Sequence, residues 1–326
     1  MKFIFLTLLK KNRHAFLLFC LVTAATSSHA QIIGVERGTS NVVEIATNTG
    51  SITTLFNLPF TADFDVGMDY NPADGFLYLT HVNAGNLDFY RLNLVANSAT
   101  YVKTINGVGL GSSSIGFTTN GKVYVYSDPS GNGSGTLYFV TWATGNVQSL
   151  GSSGTPAMLG GDYDSTRNVF WASDESSGKV YQLSVANGSI LWTSTSTWSS
   201  GNASSDYLGA VNISPNGDIL VSATDNSGSE VRILKVNPST GQWTTNLTTS
   251  VNGSLRFANL PPPPALGITT YGNQPVVILP ASVGNNYTLQ MTTNLSSGNW
   301  VTVSNGIPFT GVQIPNSPSP AFFRLQ

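Results

Sequence analysis

The stretch NVFWASDESSGKVYQLSVANGSILW, residues 168–192, holds three runs in which apolar and polar side chains alternate, separated by a Ser-Ser-Gly turn and an Asn-Gly turn. Alternation with period two puts every second side chain on one face of a strand. Glycine supplies the positive φ that a tight connection needs, so the stretch reads as three antiparallel strands. The plan recurs in residues 31–56, 76–102, 122–150 and 218–247, giving five copies. Their second tight turns align as Thr49-Gly50, Asn97-Ser98, Thr144-Gly145, Asn187-Gly188 and Thr240-Gly241.

Four copies are preceded by a further short strand that opens on glycine: GMDYNPADG from Gly67, GFTTNG from Gly116, GDYDSTRN from Gly161 and GAVNISPNG from Gly209. These openings are 49, 45 and 48 residues apart. Four strands in a unit of this length, with short turns and almost no helical periodicity, make an all-β chain and specify a β-propeller. The first copy lacks a leading strand, and GSLRFANL (residues 253–260) follows the fifth copy without a blade of its own. That C-terminal strand is expected to complete the first blade, which closes a five-bladed ring over residues 31–260 and leaves no open edge between the chain ends.

GMDYNPADGFLYLT and the recurrent Thr-Gly turns resemble the extracellular bacterial propellers of the quinoprotein-like and YVTN-like groups, many of unknown function. These motifs describe blade geometry and imply nothing about a ligand. Residues 261–264 are four prolines, an extended, stiff linker. Beyond them, residues 265–326 contain no Asp or Glu and one basic residue, Arg324. The runs PVVILPAS, NYTLQMTTNL, NWVTVS and AFFRLQ predict a small antiparallel β-sandwich. The pattern YTLQMTTNLSSGNWVTV followed by FFRL is similar to the C-terminal fibronectin-like modules of secreted proteins of Verrucomicrobia. That resemblance implies an export, sorting or surface-attachment appendage, or a passive spacer.

At the other end, Lys10, Lys11 and Arg13 precede the apolar run 15–25, and Ser28-His29-Ala30 offers small residues at the −3 and −1 positions before Gln31. This is the pattern of a signal peptide over residues 1–30, and its apolar run is too short for a membrane span of roughly 20 residues. The expected location is therefore extracellular or at the cell surface. Cys20 is the only cysteine, so a chain starting at Gln31 has no disulfide and relies on burial. Without Lys2, Lys10, Lys11 and Arg13 it carries 10 basic against 16 acidic residues, a net charge of about −6. That charge disfavours nucleic acid and anionic membrane as partners and leaves an extracellular glycan or protein.

Imidazole chemistry is limited to His81, and cysteine nucleophiles are absent from the chain after the signal. Aligning the turns after each second strand puts Glu36, His81, Asp128, Asp174 and Asp225 at one repeated position. Such a rim suits a polar ligand or a weakly held Ca²⁺; equally, an Asp after Ser or Thr caps its own turn. No other cofactor is indicated. FTADFDVGMD (Asp63, Asp65, Asp69) and GGDYDS (Asp162, Asp164) are denser carboxylate clusters. Alternation places Asp63 and Asp65 on one face, as a carboxylate pair or hard-cation site requires, while hydrogen bonding to a neighbouring blade is the structural alternative. The long connection STSTWSSGNASSDYLG carries Trp198, Asp206 and Tyr207, which suit stacking on a sugar, or a wedge between blades. A binding or scaffold protein is expected, with a carbohydrate-active or lactone-hydrolysing metal enzyme of the gluconolactonase-like kind as the alternative.

Overall fold

The computed structural model describes residues 4–6, 32–62, 66–94, 96–108, 112–128, 135–154, 158–174, 177–198, 207–224, 230–250 and 255–259, and in the tail residues 267–271, 274–278, 289–292, 301–304, 311–313 and 321–325. No described residue is helical. The chain divides into two compact units, Ala30–Pro261 and Pro262–Gln326 with Met1–His29.

The first unit is a five-bladed β-propeller. Blade 2 is built from Met68–Asn71, Phe76–Asn83, Asn86–Asn93 and Ser98–Ile105, and blade 3 from Ser112–Phe117, Lys122–Asp128, Thr136–Thr141 and Asn146–Ser152. Met158–Asp164, Val169–Asp174, Lys179–Ser184 and Ile190–Thr193 form blade 4; Tyr207–Ile213, Ile219–Thr224, Val231–Val236 and Trp243–Thr249 form blade 5. Blade 1 takes Ile32–Glu36, Asn41–Ile45 and Ile52–Asn57 from the start of the unit and its inner strand, Leu255–Asn259, from the end. Ile32 faces Asn259 and Glu36 faces Leu255 in that antiparallel pair, so the ring closes as the unpaired C-terminal strand required.

Each blade is an up-and-down antiparallel sheet, and in blades 2 to 5 strand order follows chain order. The second strands of blades 4 and 5, Val169–Asp174 and Ile219–Thr224, are buried along their whole length, whereas outer strands such as Asn146–Ser152 are mostly open to solvent. The core is accordingly not at the axis but between neighbouring sheets. Ile33, Val35 and Val42 of blade 1 pack on Met68, Leu77 and Leu79 of blade 2. Tyr78 and Phe89 meet Ile115, Val123 and Val125 of blade 3, whose Tyr126 and Leu137 meet Phe170 and Ala172 of blade 4. Trp171 and Val180 pack on Val211 and Val221, and Leu220 and Ile233 return to Ile32, Val43 and Phe257. A buried apolar cluster at every blade interface explains how burial alone can hold a disulfide-free ring.

The tight turns between third and fourth strands share one hydrogen bond, from the glycine N–H to the carbonyl four residues earlier: Gly50 to Ala46, Gly145 to Thr141, Gly188 to Ser184 and Gly241 to Asn237. All four glycines have φ between 71° and 75°. In blade 2 the left-handed residue is Asn97 itself, at φ 50°, rather than the Ser98 that the glycines predicted. Asparagine tolerates this region where serine does not, which is why that turn manages without glycine.

In the second unit, Ile4–Leu6, Ala321–Leu325, Leu289–Thr292 and Val301–Ser304 form one antiparallel sheet, and Gly267–Tyr271, Gln274–Ile278 and Gly311–Gln313 another. Gly267–Tyr271 and Gly311–Gln313 were not evident as strands, because each is short and flanked by glycine or proline. Ile4–Leu6, inside the expected signal peptide, is an edge strand that among the described residues pairs only with Ala321–Phe323.

Candidate functional site

Five corresponding positions on the inner strands define the level at which the central mouth is built. Asp69, Gly116, Asp162, Asn212 and Ala258 face Tyr78, Tyr124, Trp171, Leu220 and Ile33 across their respective second strands. Asp69 and Asp162 are both buried, at 6% and 3% exposure. Asp69 Oδ1 accepts the N–H of Tyr70 at 2.7 Å and its Oδ2 accepts that of Phe117, in blade 3, at 2.6 Å. Asp162 repeats the arrangement one blade pair on: Oδ1 accepts Tyr163 N–H at 2.6 Å, and Oδ2 accepts Ile213 N–H at 2.7 Å and Asn212 Nδ2 at 3.0 Å, both in blade 5. Between them, Gly116 has no room for a side chain, since a Cβ there would lie 2.3 Å from the backbone N of Tyr163. Blades 3 and 4 approach backbone to backbone where the flanking interfaces are joined through a carboxylate.

Burial without a cationic partner disfavours the charged form of these two groups. Asp69 is pushed up to about 7 by desolvation, against the opposing pull of the Phe117 and Tyr70 N–H groups. Asp162 is also raised well above the usual carboxylate range, by desolvation first and then by the like charges of Asp69 and Asp164, while the Ile213 and Tyr163 N–H groups act the other way. The pair lines a cavity of about 240 Å³ with Tyr70, Phe117, Tyr163 and Pro215. This mouth lies at the turns that join inner to second strands, whereas the interblade connections lie at the opposite ends of the inner strands.

Asp164, buried at the same mouth, is a turn organiser. Its Oδ1 accepts the N–H groups of Thr166 and Arg167 at 3.0 Å each, and its Oδ2 takes Trp171 Nε1 at 3.2 Å and the Arg167 guanidinium. Asn71 does the same for Ala73 in blade 2, through Oδ1 at 3.0 Å. Of the alternatives for the carboxylate clusters, hydrogen bonding to a neighbouring blade or to the local turn describes Asp69, Asp162 and Asp164. Asp63 and Asp65 lie outside the described residues.

At the opposite ends of the blades, Trp198 is half-buried against the blade 4–blade 5 cluster. Its Nε1 donates to Thr224 O at 3.1 Å, its backbone N–H donates to Gly178 O at 2.8 Å, and the Arg232 guanidinium sits 5.7 Å from its ring centroid. The ring is a wedge between two blades and does not stand out as the exposed stacking platform that the polar connection suggested. Asp206 and the side chain of Tyr207 lie outside the described residues, although Tyr207 opens the inner strand of blade 5.

The repeated rim position is only partly equivalent. Thr80, Ser173 and Ser222 occupy matching sites, since each hydroxyl bonds inner-strand backbone: Thr80 with Gly67, Ser173 with Gly209, and Ser222 with Ala210 and Leu255. The next residues are His81, Asp174 and Ala223, so Asp225 is two positions beyond the match and outside the described residues. Strand register, which a turn alignment does not see, makes the difference. Glu36 Oε2 accepts Asn41 Nδ2 at 2.8 Å, Asp174 Oδ2 accepts Ser177 Oγ at 2.6 Å, and His81 stacks on Phe60 at 4.2 Å. Asp128 ends its strand opposite Ser112, and its side chain is outside the described set. The Glu36 and Asp174 contacts serve local turns, the His81 stack reaches the connection between blades 1 and 2, and among the described residues no three His, Cys, Asp or Glu side chains come together to hold a metal ion.

No protein-family model matches the sequence, and no curated protein matches it. Among solved structures, TolB from Acinetobacter baumannii is similar at 15% identity and TM-score 0.41, over 77% of this chain and 60% of that one. A nidogen/laminin complex matches at 12% identity and TM-score 0.46, covering 77% and 85%. A protein of unknown function from Bacteroides caccae matches at 12% and 0.43, covering 87% and 94%. Likenesses this distant carry no information on activity or ligand. Among the described residues no helix is long and apolar enough to cross a membrane.

Sequence reasoning passed over Asn212 and the groove containing Trp243. The signal for Asn212 was present, because GAVN in blade 5 aligns with GMD in blade 2 and GGD in blade 4 once a one-residue bulge is allowed.

Proposed function

We propose that the chain is exported and works as a non-enzymatic binding or cell-surface scaffold protein, presenting a propeller face to a glycan or a protein. One observation carries the reading: the carboxylates at the central mouth are occupied by backbone N–H groups of their own and the next blade. Groups held this way join sheets, and a general acid or metal ligand would have to give up those bonds to act. Export is supported by the charged, apolar and small-residue regions before Gln31, and the acidic balance after it supports partners other than nucleic acid. The reading needs no cofactor.

The enzyme alternative would draw on Asp69, Asp162 and Asn212, a carboxylate and amide set at the axis. A panel of lactones and aryl glycosides, assayed with and without added Ca²⁺, tests it. No turnover is expected, and turnover abolished in Asp162→Asn would overturn the binding reading. Intact mass of the secreted product should begin at Gln31; a retained Met1 would defeat export by cleavage.

A further inference from the structure

A second cavity, of about 310 Å³, lies on the same side of the ring as the central mouth but farther out, where blade 5's last hairpin meets the first turn of blade 4. That volume is at the lower end of the roughly 300–1,000 Å³ typical of small-molecule sites. Trp243 forms part of its wall while also packing against the blade 4–blade 5 core, which fixes the indole in place.

The polar lining is held in advance of any ligand. Asn237 Oδ1 accepts the N–H groups of Ser239 and Thr240 at 2.9 and 3.3 Å, and Gly241 N–H closes the turn on Asn237 O at 2.8 Å. Thr195 Oγ1 donates to Thr240 O at 2.9 Å and ties this hairpin to the connection leaving blade 4. Gln242 and Thr244 flank Trp243 and are exposed, so an amide and a hydroxyl stand on either side of the indole in the sequence.

Two cations reach the same groove, and each carries its own carboxylate. Lys235 Nζ is 2.8 Å from Asp218 Oδ1, and Arg167 is paired with Asp164 and donates to Gly217 O at 3.4 Å. The groove is therefore close to neutral, yet it offers charged donors. An anionic ligand would have to compete with Asp218 and Asp164 for them. A neutral polyol would not, because its hydroxyls can add to the ion pairs as both donors and acceptors. An indole, an exposed amide, hydroxyls and two ion pairs among the lining residues suit a pyranose ring, which has an apolar face to cover and a girdle of hydroxyls to satisfy.

We propose that this groove, walled by Trp243 and edged by Gln242, Thr244, Lys235 and Arg167, binds a neutral hexose unit of a glycan chain. The inference rests on the binding reading above and places the contact away from Trp198, on the turn side of blades 4 and 5.

Calorimetric titration of the full secreted chain with maltotetraose, cellotetraose and laminaritetraose, and with tetragalacturonate as the anionic counterpart, tests it. At least one neutral tetrasaccharide should bind, with the acidic one weaker. Trp243→Ala should lower affinity at least about tenfold, the scale of an anchor residue. Because that change also touches the core, Gln242→Ala provides the second arm: it should weaken binding severalfold with an unchanged melting temperature. Absence of binding to all three neutral chains, preference for the acidic one, or unchanged affinity in both variants overturns the groove assignment while leaving a protein-binding scaffold standing. Cleavage of any of the oligosaccharides would instead overturn the non-enzymatic reading.

Discussion

Asp162 Oδ2 lies 2.7 Å from the backbone N of Ile213, 51 residues downstream, and Asp69 Oδ2 lies 2.6 Å from that of Phe117, 48 residues downstream. Both separations are close to one repeat, so each aspartate reaches the corresponding strand of the following blade. The inner strands have no backbone ladder between blades, and these side chains supply hydrogen bonds that the sheets cannot make for themselves.

Removing such a link leaves buried donors without acceptors. Asp162→Ala strands the N–H of Ile213 in a water-poor interface and takes one acceptor from Asn212 Nδ2, at about 1–3 kcal/mol for an unsatisfied group. Urea denaturation should show a loss of about 2–5 kcal/mol, a large share of a typical total of roughly 5–15. A loss under about 0.5 kcal/mol, the scale of an ordinary surface substitution, would mean that the link is incidental.

The same pair sets a pH dependence. Both carboxyls are raised above the 3.8 of an ordinary aspartate, Asp69 to about 7, so the folded chain holds more protons than the unfolded one across that window. Stability from this source is complete below about 4 and is lost as the pH rises through about 7. Melting temperature should fall between pH 5 and pH 8, and Asp162→Asn should flatten that slope by removing one titrating group and one like charge. An identical slope in wild type and variant would place the titration elsewhere.

Gly116→Ala probes the interface between those two links. A Cβ at Gly116 would meet Tyr163 at 2.3 Å from its N and 2.6 Å from its Cβ, and neither atom is the end of a flexible side chain. The blades would have to separate, so a cost of about 1–3 kcal/mol is expected, as for overpacked cores. A neutral result in thermal denaturation would show that the ring can widen there.

Blade count, turn glycines and the closing strand were legible because each depends on local pattern: period two, a residue able to take positive φ, and an inner strand without its own blade. The candidate sites were less legible. Trp198 and Trp243 both stand beside Thr or Ser in polar surroundings, and only packing separates a wedge whose Nε1 is bonded to Thr224 O from a ring that lines a groove. Asp69 and Asp162 stood out as carboxylates, but their partners belong to the next blade, and no local pattern names an acceptor's donor 48 or 51 residues away. Ala223, and not Asp225, follows the matched Ser222, because second-strand register and not turn composition sets equivalence.

Trp198→Ala separates the two tryptophans by experiment. The substitution removes an indole packed on the blade 4–blade 5 cluster and its hydrogen bond to Thr224 O, so the melting temperature should drop, with a loss of about 2–4 kcal/mol for a half-buried ring. Glycan affinity, if seated at Trp243, should be unchanged at a temperature where the variant is folded. Loss of binding with an unchanged melting temperature would return the ligand to the interblade connections.

Ring closure gives the sharpest test of the architecture. Among the described residues Leu255–Asn259 pairs only with Ile32–Glu36, and Leu255, Phe257 and Ala258 are fully buried between blades 5, 1 and 2. A chain of residues 31–260 keeps that strand and should fold cooperatively without the tail, because every described strand of the five blades lies within it. A chain of residues 31–252 loses it, exposing the inner edge of blade 1 and opening the cores on both sides of it. Burying Leu255 and Phe257 is worth about 1.5–3 kcal/mol each, so the shorter chain gives up a large part of its net stability before its lost hydrogen bonds are counted. Its melting temperature should fall steeply and dye binding to exposed apolar surface should rise. Equal thermal stability of the two chains would show that the ring does not depend on the C-terminal strand.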